Sequence, residues 1–175
     1  NGGRLFIFQE GTTHTEASSK KARSGAARII QAAIREAEEL GKPRPHLVPI
    51  GLHYSDSTTF RERCAVVIER PMVLPQLPEI MEDFAAQDKL DREWVTSVTK
   101  SIDSELKRAS LSKTSWEDRE FIWRGKGVVH AERARQMGEA FKKPTYYQSV
   151  LGARRIRAGW EFMAQNEPEK TAKIV

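Results

Sequence analysis

Leu5-Phe6-Ile7-Phe8-Gln9-Glu10-Gly11-Thr12-Thr13-His14 runs four apolar residues straight into a carboxylate, a glycine, two hydroxyls and an imidazole. The pattern predicts a buried strand over residues 4–9 whose carboxyl end opens into a loop of hydrogen-bonding groups. In open α/β sheets ligands bind at such strand ends. Glu10 can accept hydrogen bonds from a substrate hydroxyl or from backbone amides. Gly11 allows close backbone approach or a positive φ, and Thr12 and Thr13 add donors. The same residues also suit a plain turn stabilised by Glu and Thr.

Downstream, Ala26, Ile30, Ala33, Ile34, Ala37 and Leu40 recur at helical spacing, with Arg28, Arg35, Glu38 and Glu39 on the other face. Ser24 is placed to cap this helix, and Gly41 with Pro43 to end it. His46 to Tyr54 reads as a second strand whose pairing Pro49 limits. Cys64 to Glu69 reads as a third. Strand, helix and strand in that order predict an α/β fold with a largely parallel or mixed sheet and flanking helices. Pro71, Pro75 and Pro78 then punctuate a linker. Beyond it the pattern is helical. Trp94, Val98, Ile102, Leu106 and Ala109 share one stripe. Ser115-Trp116-Glu117-Asp118 offers a cap for a further helix to about Gly138. Pro144 opens a last one, with Tyr146, Val150, Ala153, Ile156, Trp160 and Met163 on one face and Asn166 and Pro168 as its stop. The tail after Glu167 is expected to fray. The expected division is therefore an α/β part over residues 1–75 and a helical extension over residues 76–175.

The 175 residues suffice for a real core. No apolar run approaches the roughly 20 residues of a membrane span. The net charge of +5 favours an anionic partner: phosphate, acidic lipid headgroups, coenzyme A and nucleic acid all qualify. Cys64 is the single cysteine, which excludes an internal disulfide and a cysteine zinc cluster, and it reads as a packed strand thiol. No His, Asp and Glu set has metal-ligand spacing, so no metal is expected.

Arg61 and Arg63 lead from a loop into a strand. They suit bidentate phosphate binding or a solvated strand edge. If the strand starts at Arg61, alternation points both the same way. Lys20, Lys21 and Arg23 lie near the Glu10 loop and the next helix's N-terminus, a potential anion site or a soluble loop. Arg154, Arg155 and Arg157 share a helix with Trp160 and Phe162, as at a membrane interface or as the solvated back of a core stripe.

Several of these segments, in order, resemble the glycerolipid acyltransferase family, the glycerol-phosphate and lysophosphatidate acyltransferases. Phe8-Gln9-Glu10-Gly11-Thr12 is similar to the family's Phe-Pro-Glu-Gly-Thr block, with Gln9 in place of the proline. Gly25-Ala26 matches the pair that opens the next helix, and Val48-Pro49-Ile50 matches the following strand. Gly51-Leu52-His53-Tyr54 and Phe60-Arg61-Glu62-Arg63, running into the strand from Cys64, resemble the glycerol-phosphate branch. The ordered set spans residues 4–72.

The resemblance implies transfer of a fatty acyl group from acyl-CoA or acyl carrier protein to glycerol 3-phosphate or 1-acylglycerol 3-phosphate in phospholipid biosynthesis, with no resident cofactor. It implies substrate contacts by Glu10, Gly11, Thr12, Thr13, Arg61 and Arg63, and a location on the cytoplasmic side of an anionic membrane surface. The family's catalytic His-x4-Asp block is absent: at that offset His14 meets Ser19, His46 meets Gly51, His53 meets Thr58 and His130 meets Arg135. The family's second block, with a phosphate-binding arginine, is missing too. The expectation is thus the carboxyl-terminal portion of such an enzyme, without its base and inactive alone. A non-catalytic lipid- or partner-binding module is the alternative. A nucleic-acid-binding module fits less well, because the aromatics follow helical core spacing instead of decorating basic runs.

Overall fold

The computed structural model describes residues 3–11, 16–56, 59–112 and 115–172. Among these, the elements are α1 (Gly25–Glu39), β1 (Ile50–Tyr54), β2 (Cys64–Ile68), α2 (Phe84–Ala109), α3 (Trp116–Gln136), α4 (Tyr146–Asn166) and α5 (Pro168–Ala172). The chain is therefore mixed α/β and mainly helical. Its sheet is a single antiparallel pair, β1 with β2, instead of the parallel or mixed sheet that the strand–helix–strand order suggested.

The decisive opening stretch behaves differently from its pattern. Residues 4–9 form no strand, and Leu5, Phe6 and Phe8 are exposed by 69%, 74% and 80%. A strand needs a neighbour for its backbone and a cover for its side chains. Among the described residues no strand pairs with this segment. The strand expected from His46 is also shorter, beginning at Ile50. Pro49 has no N–H to give, but its carbonyl still accepts from the Glu69 amide at 3.0 Å.

Two compact units divide the chain, and they interleave along the sequence. One combines the chain up to Gly51 with Ile68–Ala109, the other Leu52–Val67 with the chain from Ser110 onward.

In the first unit, α1 buries Ala26, Ile30, Ile34 and Ala37 of the expected stripe and adds Ala27, while Ala33 is half-buried and Leu40 is exposed. Against it α2 sets Trp94, Val95, Val98 and Ile102. Leu47, Met72, Leu74 and Leu77 from the flanking extended segments close the same core. The end of α1 follows from Gly41, whose φ of +61° suits a residue without Cβ. The Gly41 amide donates to the Glu38 carbonyl and that of Lys42 to the Ala37 carbonyl, the paired pattern of a Schellman stop. Polar ties add to the apolar ones: Arg35 reaches Asp91 at 2.5 Å, and the Trp94 indole N–H donates to the Gln76 carbonyl at 3.0 Å.

In the second unit the hairpin obeys strict alternation. His53, Ala65 and Val67 face inward, where Ala65 and Val67 meet Val150 of α4 with Trp123 and Tyr146 beside them. Leu52, Tyr54, Cys64, Val66 and Ile68 face outward and are exposed. The Cys64 thiol is thus on the open face, not packed, because it shares the parity of Val66 and Ile68. Helix α3 starts as the sequence indicates: the Ser115 hydroxyl accepts the Asp118 amide at 3.1 Å. Helix α4 starts with a reciprocal capping box between Thr145 and Gln148. The two helices approach closely through small residues. A Cβ on Gly125 would stand 3.2 Å from Ile156, and one on Gly152 would stand 2.8 Å from His130 Nε2. Past the break at Glu167, α5 forms a short helix where fraying was expected, with the Thr171 hydroxyl donating to the Glu167 carbonyl at 2.9 Å.

No helix among the described residues is long and apolar enough to cross a membrane.

Candidate functional site

The loop read as the site is a tight turn in the first unit. The Gly11 amide donates to the Phe8 carbonyl at 3.2 Å, so Gln9 and Glu10 form its tip. Gly11 has φ +63°, a value that strains any residue carrying a Cβ. The Arg23 guanidinium lies 3.4 Å from where a Gly11 Cβ would stand. The backbone angle is thus what favours glycine here, with the Arg23 guanidinium in ordinary contact distance beside it. The Gln9 carbonyl accepts from the Arg23 amide at 3.2 Å, which ties the turn to the segment entering α1.

That segment is fixed from the other side. The Ala22 amide donates to Asp103 Oδ1 at 2.8 Å, while Lys107 Nζ lies 2.8 Å from Asp103 Oδ2. Burial pushes the Asp103 carboxyl upward, but the hydrogen bonds from Lys107 and the Ala22 amide outweigh it and hold the group below the usual aspartate range. Helix α2 therefore anchors the residue before Arg23, and Arg23 braces the turn.

Glu10 is half-buried at the tip. Ser24 holds the N-cap position of α1, yet its side chain makes no cap hydrogen bond, and no acidic residue sits in the first turn. The positive end of the α1 dipole is left without a side-chain carboxylate of its own. The result is a turn with a carboxylate residue at its tip and a guanidinium beside its glycine. Chemically, that arrangement can accept a hydrogen bond from a hydroxyl and donate to an anion. Lys20, by contrast, turns to Glu16 at 3.9 Å.

Thr12 and Thr13, and His14 after them, lie outside the described residues. Arg61 and Arg63 belong to the second unit. The strand begins at Cys64, after both arginines, so strand alternation does not govern them. Arg61 occupies the turn with φ +61°, a left-handed conformation that costs a non-glycine residue roughly 1–2 kcal/mol. Its guanidinium rests 5.3 Å over the Phe60 ring, while that of Arg63 rests 5.4 Å over the Tyr146 ring. The two arginines lie against different aromatics. Arg157, one of the three basic residues read as a surface cluster on α4, is buried at 5% and donates to the Ser110 carbonyl. Only Arg155 of that cluster is exposed.

Two features escaped the sequence reading. Arg23 as the partner of Gly11 is a contact between residues twelve positions apart, with no local pattern to mark it. The second is a gathering of cations on α3. Its signal was present as an aromatic residue followed by a cation three positions later, in Trp116 with Arg119 and in Trp123 with Lys126.

No family model, curated protein or solved structure matches the chain.

Proposed function

We propose that this chain carries the acceptor-binding part of a glycerolipid O-acyltransferase. The observation that carries the reading is the Phe8–Gly11 turn, which puts Glu10 at its tip next to a positive-φ glycine and sets the Arg23 guanidinium beside that glycine. It supports the reading because the acceptor is a polyol phosphate. Glu10 accepts a hydrogen bond from a glycerol hydroxyl. Arg23 and the N-terminal amides of α1 receive the phosphate. The Phe8-Gln9-Glu10-Gly11 order, with Gly25-Ala26 opening α1 and Pro49 ahead of β1, adds the resemblance described above.

In the reaction so proposed, a base takes the proton of the acceptor hydroxyl. Its oxygen attacks the acyl thioester carbonyl, and the thiolate departs. The turn's contribution is position: it holds the hydroxyl where the base can reach it. The His-x4-Asp pair that would serve as base is not among these residues, so this chain supplies binding but no proton acceptor. The remaining basic surface favours an anionic membrane, where such acceptors and products reside.

Calorimetric titration with glycerol 3-phosphate tests the reading. Glu10→Gln keeps shape and removes charge. It is expected to weaken binding about tenfold, the equivalent of ~1.4 kcal/mol for a charge-assisted hydrogen bond, with the thermal unfolding curve unchanged. Equal affinity in the variant overturns the proposed role.

A second reading rests on the exposed Leu5, Phe6 and Phe8. A row of large apolar side chains suits a module that covers them with lipid or a partner. It differs in one expectation: glycerol 3-phosphate would not bind at the turn.

A further inference from the structure

We propose that Arg63, Arg119 and Lys126 form a binding site for a phosphate monoester around the Trp123–Tyr146 ring pair of the second unit. Tyr146, the first residue of α4, sets its ring 5.8 Å from that of Trp123. The Arg63 guanidinium lies 5.4 Å over the Tyr146 ring from the hairpin side. Lys126 Nζ lies 4.0 Å over the Trp123 ring and donates to the Trp123 carbonyl at 2.9 Å. Arg119, one helical turn before Trp123 on α3, rests 5.1 Å over the Trp116 ring.

Among the described residues, none of these three cations has a carboxylate within ion-pair distance. Elsewhere on α3 the pattern is the reverse: Arg124 pairs with Glu120 and Arg135 with Glu132. Glu62, next to Arg63, accepts from the Ser55 hydroxyl and the Arg63 amide and also feels the Arg63 charge. Arg63 and Arg119 both act on the Tyr146 hydroxyl, and burial lowers the pKa of both Arg119 and Lys126. A dianion beside them favours their charged forms against that burial. Arginine's planar fork matches two phosphate oxygens. The Tyr146 hydroxyl, pushed up by burial, stays protonated as a further donor. A phosphate monoester is the ligand whose charge answers three cations. It occurs on soluble esters and on phosphatidic acid alike.

The site belongs to the second unit and the Glu10 turn to the first, and the proposal stands whether or not the acceptor reading holds. Its test uses the purified chain in two arms: calorimetric titration with inorganic phosphate and glycerol 3-phosphate, and co-sedimentation with phosphatidylcholine vesicles with or without phosphatidic acid. Arg119→Gln and Lys126→Gln are each expected to weaken binding about tenfold or more. Arg124→Gln, on the same helix but paired, leaves it unchanged. Glu10→Gln also leaves the Arg119-dependent binding intact, which separates the two sites. Arg63→Gln, at an exposed position, gives the same loss if the Arg119 variant folds poorly. Binding of soluble esters assigns a free ligand, and binding of phosphatidic acid vesicles alone assigns a lipid headgroup. Either supports the site. Binding that survives Arg63→Gln and Lys126→Gln together, or absence of binding in both arms, overturns it.

Discussion

Trp94→Ala is expected to destabilise the first unit by about 3–5 kcal/mol, the range for deleting a large buried aromatic side chain. Trp94 is buried against Val95, Val98, Ile102 and the apolar face of α1. Its indole N–H also donates to the carbonyls of Gln76 and Pro75, at 3.0 and 3.4 Å. The proline-punctuated segment after β2 forms no helix or strand of its own. This side chain is one of the ties that holds it to α2. The substitution therefore opens a cavity and releases a connection at once. Trp94→Phe separates the two effects by keeping most of the apolar volume and removing the donor, for a loss of about 1–2 kcal/mol. Urea unfolding followed by circular dichroism and tryptophan fluorescence measures both. Because the chain holds two units, the transitions need not coincide, and the loss belongs to the first unit's transition. An unchanged midpoint in Trp94→Ala would mean that α1 and α2 are held together by something other than this core.

Arg157→Ala is expected to destabilise the second unit by about 2–3 kcal/mol. The buried guanidinium donates to the Ser110 carbonyl, across 47 positions of sequence, and lies 3.7 Å from Glu161. Removing it takes this buried donor away from the Ser110 carbonyl. Arg155→Gln, one turn-face away and exposed, is expected to change stability by less than about 0.5 kcal/mol. The contrast within one basic run is the test. Equal effects would return all three arginines to the surface role that their sequence clustering suggests. Membrane binding measured on a triple arginine variant would mix lost charge with lost structure, so Arg155→Gln is the cleaner probe of surface electrostatics.

What the sequence disclosed followed from local rules. The α1 and α2 stripes, the Ser115 cap and the outer bounds of α4 depend on spacing and on side chains that hydrogen-bond within three or four residues. The glycine after Glu10 was equally local, since its φ is set by the turn it closes. The errors arose where the outcome depends on partners. Leu5 to Phe8 has the composition of a buried strand, but pairing is not a property of one segment. Cys64 looked packed because it opens an apolar run, yet parity against Ala65 and Val67 places it outside. Arg154, Arg155 and Arg157 looked alike as letters, and only the helix phase separates the one that points at the Ser110 carbonyl. The candidate site was legible at Glu10 and Gly11. Arg23 was only one of three nearby basic residues until its contact with Gly11 distinguished it.

The most direct test of the acceptor reading is an amide-resolved titration of the isotope-labelled chain with glycerol 3-phosphate. Chemical-shift changes are expected at Glu10, Gly11, Arg23 and Gly25. They should be abolished by Glu10→Gln and untouched by Arg119→Gln. Any changes near Arg63 and Tyr146 should show the opposite dependence. Unshifted amides at the turn under saturating ligand, or shifts there that persist in Glu10→Gln, would contradict it.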